Sequence, residues 1–238
     1  MVIGVIIDNI GYEESKIDKS YSPKPIPKDL IEAWKGQLFD FQPVDVEFSV
    51  RDEKFYACSS ILSKRSEYFE RILSGQWSET KAVQRDNNDF DFNNDNKLTH
   101  QIKHRIEISE YDPITFSIML EYLYTDQVRW TDKDNNSITV ELFRLADKYL
   151  LSDLRERAKF RILAELNPHN ASGIIFNLTS KYEDLRKPVL KFMAKNFEEI
   201  NNSQEFKDIL ANLVIYPNYN LILSEILTEY FKIQKSNR

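Results

Sequence analysis

SEYFERILSGQWSE, residues 66–79, decides how this chain is read. Ser66 offers the hydroxyl of a helix N-cap, and Tyr68, Phe69, Ile72 and Leu73 follow it, so a short amphipathic helix is expected over 66–73. That helix runs straight into Trp77-Ser78-Glu79, an apolar–x–acidic tripeptide. A tryptophan on a polar turn is costly to leave in water. Aromatic anchors beside a few polar groups are the usual energetic centre of an interface. Trp77 therefore reads as an anchor for a partner, with Glu79 as a charged contact on its rim. The plainer alternative is that Trp77 folds back on its own domain.

Upstream of this stretch, Val44, Val46, Phe48 and Val50 alternate with Asp45, Glu47 and Ser49, the pattern of a half-buried strand. A turn is expected at Asp52-Glu53, a returning strand at Lys54–Ala57 and a short helix at Ser59–Lys64. Further back, Leu30, Ile31, Trp34 and Leu38 share one face of a helix over 29–39. Pro23, Pro25 and Pro27 make the segment before it an extended tether. Downstream, nine of the nineteen residues 82–100 are Asn or Asp, so this stretch reads as a mobile surface insert. Order resumes with a strand at Arg105–Ile108. Asp112-Pro113 then supplies a cap and a first-turn proline for a helix bearing Phe116, Met119, Leu120, Leu123 and Tyr124. A third short strand is expected at Val128–Trp130. Beyond it the pattern is helical, over roughly 138–150, 153–165, 169–179, 182–197, 203–213 and 219–234, with Ser152, Asn167 and Ser203 as caps. The fold class is α+β: a mixed first part followed by an all-helical one, dividing near residue 165.

Composition narrows the chemistry. The net charge of -6 argues against general nucleic-acid binding, which uses Lys and Arg to replace phosphate counterions. Cys58 is the one cysteine, so no intrachain disulfide can form, and a reducing compartment, cytoplasm or nucleus, is expected. The apolar start MVIGVIIDNIG has no basic flank and is too short for a membrane span. The five glycines are isolated and assemble no phosphate-cradling loop. His100 and His104 have no nearby Cys or Glu to complete a metal set, and Cys58 reads as a small buried thiol rather than a nucleophile. No enzyme, cofactor, metal, nucleic-acid partner or membrane partner is expected.

Taken together, Asp45-Val46-x-Phe48, Phe55-x-Ala57, Ile61-Leu62-x-x-Arg65-Ser66-x-Tyr68-Phe69, Glu121-Tyr122-Leu123-Tyr124-Thr125 and Ala146-Asp147-Lys148-Tyr149 resemble the BTB/POZ domain in order and spacing. Asn170–Leu178, Leu185–Phe197 and the segment through Phe206 resemble the start of a BACK domain, the helical companion of BTB. The resemblance implies residues 1–28 as an extended segment, 29–165 as a BTB/POZ domain with a disordered insert at 82–100, and 166–238 as a partial BACK-like region. It further implies a homodimer through Leu30, Ile31, Trp34, Leu38 and Asp45. Members that bind cullin-3 carry a hydrophobic–x–Glu motif after the RSxYF helix, and Trp77-Ser78-Glu79 falls at that place, with Tyr124 completing the surface. The implied role is a substrate adaptor of a cullin-3 RING ubiquitin ligase. The competing reading is a BTB dimerisation scaffold or transcription-associated regulator. The chain has no Kelch repeats, MATH domain or zinc fingers, so the reader for an unknown substrate protein would have to be the N-terminal tether, the 82–100 insert or a second protein. One departure stands out: where many members have His followed by a basic residue, this chain has Cys58-Ser59, and Asp45 must find another partner or the dimer must differ.

Overall fold

The computed structural model describes residues 27–39, 44–74, 81–82, 102–130, 137–179, 181–216 and 218–236. The described residues up to Ala158 form one compact unit and those from Lys159 onward form a second.

The first unit is built on a four-stranded sheet in the order β2-β1-β4-β3. Strand β1 (Val46–Val50) pairs antiparallel with β2 (Glu53–Ala57) and parallel with β4 (His104–Ile108); β3 (Lys81–Ala82) adds antiparallel to the start of β4. Being central, β1 is covered more fully than its alternation implied. Glu47, expected on the open side, is buried under its cross-strand neighbours, with Lys54 Nζ at 3.2 Å and Arg105 Nε at 3.8 Å from its Oε1. The β1–β2 turn also sits one residue earlier than expected. Val50 pairs with Glu53, so Arg51-Asp52 makes the turn, and Arg51 takes a left-handed φ of 51°.

Helices surround the sheet. α1 (Lys28–Phe39) precedes it, α2 (Ser59–Arg65) and α3 (Glu67–Leu73) follow the hairpin, and α4 (Pro113–Thr125) and α5 (Ser137–Lys148) follow β4. Asp112 caps α4 as expected, its Oδ1 accepting the Ile114 N–H at 2.9 Å, with Pro113 at the first position. From Thr115 to Thr125 every residue but Ser117 is buried, so α4 is the central helix of the core. Phe116 meets Phe48 edge-on at 5.1 Å and lies 5.5 Å from Phe55. Val128–Trp130 takes no regular structure and pairs with no strand among the described residues, so the third strand expected there does not form.

α6 (Ser152–Ala164) carries the chain from the first unit into the second. The second unit is helical: α7 (Ala171–Asn177), α8 (Glu183–Lys195), α9 (Phe197–Asn202), α10 (Gln204–Ala211), a 3-10 turn (Leu213–Ile215) and α11 (Tyr219–Ser236). Leu185, Val189 and Met193, one per turn of α8, are fully buried, as are Ile222 and Ile226 of α11. Arg186 grips Glu225 Oε2 with Nε at 3.0 Å and Nη2 at 2.7 Å. Ser203 caps α10 as expected, accepting the Phe206 N–H at 3.3 Å. The single helix expected over 203–213 stops at Ala211, and the tighter turn takes over. Asn167 accepts from the His169 and Asn170 amides, organising the turn ahead of α7 rather than its first residue.

Candidate interaction surfaces

The RSEYF segment is the joint of the first unit. Ser66 closes α2, its N–H donating to Leu62 O at 3.0 Å, and opens α3, its Oγ accepting from the Phe69 N–H at 3.3 Å. The same hydroxyl donates to the Tyr149 carbonyl at 2.7 Å, tying the end of the Ala146-Asp147-Lys148-Tyr149 motif to this joint. Phe69 stacks on Tyr149 at 5.1 Å and 15°, while Tyr68 meets Tyr149 edge-on at 4.9 Å. Arg65 reaches the far end of α4, donating to Leu123 O at 3.0 Å and to Asp126 Oδ1 at 2.6 Å. The Arg65 and Arg157 guanidinium groups each lie 5.5 Å from the Tyr122 ring centre. Burial, aided by Asp153 and Asp126, pushes the Tyr122 phenol up to about 12. Arg157 also bonds Asp126, which holds its guanidinium firmly charged despite partial burial. The separated sequence motifs thus converge on one structural knot.

Asp45 finds its partner within the chain. Its Oδ1 accepts the Ser59 N–H and its Oδ2 the Ser59 hydroxyl, both at 2.7 Å, and Lys103 Nζ lies 3.3 Å away. Burial alone would raise this carboxyl, but the Ser59 hydrogen bonds and the Lys103 charge hold it below the usual value. Serine at 59, in place of a basic residue, therefore turns Asp45 into a cap for α2. Beside it, the Cys58 N–H donates to the Tyr124 hydroxyl at 2.8 Å, and Cys58 Sγ sits 3.1 Å from Ser60 Oγ. The Cys58 thiol is half-buried rather than sealed in the core. Tyr124 is 7% exposed, and burial pushes its phenol up to about 12. It sits mostly inside its own domain.

On α1, Leu30 and Trp34 are 46% and 40% exposed, with Ile31 half-buried behind them. The helix is held to α4 by Lys35 Nζ at 3.2 Å from Glu121 Oε1, a carboxylate almost wholly buried. The apolar face expected of this helix is therefore present at Leu30 and Trp34. The side chain of Leu38 lies outside the described residues, as do Trp77, Glu79, the N-terminal segment and all of the 82–100 insert except Ala82. Among the described residues no His, Cys, Asp or Glu cluster could hold a metal ion, and no helix is long and apolar enough to cross a membrane.

A small mixed sheet wrapped by helices, with its polar groups spent on internal joints and an aromatic residue left on an outer helix, defines a protein-interaction module. The chain belongs to the BTB/POZ family: the family model for the BTB/POZ domain matches residues 36–165. Similar proteins include BTB/POZ and MATH domain-containing protein 6 of Arabidopsis thaliana, 25% identical over 202 residues, 77% of this chain and 43% of that protein. BTB/POZ domain-containing protein 9 of Homo sapiens is 25% identical over 181 residues, 74% of this chain and 26% of that protein. The chain thus spans less than half the length of these relatives. Among solved structures, the BTB domain of zebrafish PATZ1 is similar, at 20% identity and a TM-score of 0.41, over 60% of this chain and 98% of that one.

Proposed function

We propose that this protein is a dimerising substrate adaptor of a cullin-3 RING ubiquitin ligase, working in the cytoplasm, the nucleus or both. The observation that carries self-association is the α1 face, where Leu30 and Trp34 remain 46% and 40% exposed although the helix is already seated on its own domain. A second copy would cover it by two-fold symmetry. Cullin docking is supported by the placement of Trp77-Ser78-Glu79 directly after α3. The tryptophan would fill an apolar pocket and Glu79 would bond at its edge. The substrate is a protein read by the N-terminal tether, by the 82–100 insert or by a second protein.

The test is cullin-3 co-purification from cells with the wild-type chain and with Trp77→Ala plus Glu79→Ala. Loss in the double variant supports docking, and retained cullin-3 removes the motif from the account. Sedimentation at micromolar concentration reads dimerisation separately: a wild-type monomer would refute it. One observation favours the second reading, a scaffold without ligase activity. Tyr124, which would complete the docking surface, is only 7% exposed and its hydroxyl is engaged by the Cys58 amide. A dimer that never captures cullin-3 would establish that reading.

A further inference from the structure

In the helical unit, α7 and α10 meet around an unusual carboxyl group. Glu205, near the start of α10, brings its carboxyl group up to the backbone of Gly173 in α7. Gly173 makes this possible by having no Cβ, since one built there would come within 2.5 Å of Glu205 Oε1. The other carboxyl oxygen, Oε2, is buried with no hydrogen-bond partner among the described residues. The fully buried hydroxyl of Ser172, next to Gly173, lacks one as well. An ionised carboxylate with one buried oxygen unserved is costly, whereas the uncharged acid is buried at much lower cost.

The surrounding charges do not remove this cost. α7 itself carries no ionisable side chain. His169, ahead of α7, favours the charged form, and Asp208, a turn along α10, opposes it. Lys207 of α10 is taken by the Asn202 carbonyl at 2.8 Å, and α9 contributes only Glu198 and Glu199, both exposed. Burial outweighs the Gly173 amide and His169, which both favour the carboxylate, so the Glu205 carboxyl sits above its ordinary 4.5.

We propose that Glu205 is a proton-operated latch between α7 and α10: as the acid it closes the junction, and as the carboxylate it loosens it. α10 leads directly into Leu213, Val214 and Ile215, which are 41%, 98% and 70% exposed. Loosening the junction therefore loosens the base from which this apolar turn projects. The direction follows from proton uptake. The folded unit holds the Glu205 proton to higher pH than the unfolded chain, so the contribution of this group to stability is greatest below pH 4.5 and is lost as pH rises through the folded value.

The experiment is hydrogen exchange by mass spectrometry on the full chain, comparing wild type with Glu205→Gln from about pH 4 to about pH 8 after correction for intrinsic rates. Protection of 171–177 and 204–211 is expected to fall with pH in the wild type, by at most about tenfold in the opening equilibrium per pH unit. In E205Q, which has the same shape and no charge, the profile is expected to be flat. Histidines ordinarily titrate in this range, so His169→Asn is run beside it and should keep the slope. A slope that survives in E205Q, or that vanishes in H169N instead, overturns the latch. Carbon NMR of selectively labelled glutamate in the wild-type chain gives an independent reading: a Glu205 midpoint at or below 4.5 overturns it as well.

Discussion

The two units solve the problem of buried polar groups in opposite ways. In the sheet-bearing unit the buried groups Glu47, Glu121 and Ser66 and the half-buried Asp45 are all answered: Glu47 by Lys54 and Arg105, Glu121 by Lys35 and Arg129, Ser66 by Tyr149 and Phe69, and Asp45 by Ser59 and Lys103. In the helical unit a hydroxyl and a carboxyl oxygen are buried without partners among the described residues, while Val214 and Ile215 stand in water. A fully satisfied network makes one arrangement much better than its neighbours; a partly satisfied one leaves alternatives close in energy. The first unit is thus built to hold a shape, and the second is the one that can be retuned.

Mutations can break that contrast. The largest effect is expected from Phe69→Ala, which removes a fully buried ring stacked on Tyr149 and edge-on to Phe48. Stability of the first unit should drop by about 3–5 kcal/mol in denaturant titrations. Ser66→Ala deletes the α3 cap and strands the Tyr149 carbonyl, and a loss of about 1–3 kcal/mol is expected by the same measurement. Asp45→Asn should cost about 1–2 kcal/mol near neutral pH by weakening the bonds from Ser59. The folded Asp45 carboxyl lies below its ordinary 3.8, so its contribution is present above that pH and lost as pH falls through the folded value. The variant's deficit should therefore shrink on acidification, and a deficit constant to pH 2–3 (roughly the range where a depressed carboxylate protonates) would mean the aspartate acts through shape alone. Val214→Ser should change stability by less than about 0.5 kcal/mol, because an almost fully exposed side chain has little packing to lose. A larger loss would show that the apolar turn is covered in solution and would erase half of the contrast.

The fold was legible because its signals are local and repeated: a cap at Ser66, Asp112-Pro113 before an apolar helix, alternation across β1. The departures have long-range causes. Glu47 is buried because strands on both sides send cations over it, which a period of two cannot reveal. Arg51 accepts a left-handed backbone because the pairing of Val50 with Glu53 leaves only two residues for the turn. Val128–Trp130 has strand-like residues but no strand to pair with among the described residues. At the candidate surfaces, α1 could be read from its apolar face, and the Asp45 question was visible in Cys58-Ser59, but its answer lies 14 residues away in the chain. The Gly173–Glu205 contact had no sequence signal, since neither residue is unusual until the two helices meet.

The parallel pairing of β1 with β4 also bears on how the protein is made. Val46 finds its partner only at His104, after the hairpin, two helices and the insert have been synthesised. At ~5–20 residues per second, those roughly sixty residues take about 3–12 s to emerge from a ribosome. Until β4 emerges the edge of β1 that it will pair with stays open, and an isolated hairpin is at best marginally stable. An open strand edge is a template for wrong pairing, so the protein's yield in cells should respond to translation speed more than its final stability would suggest.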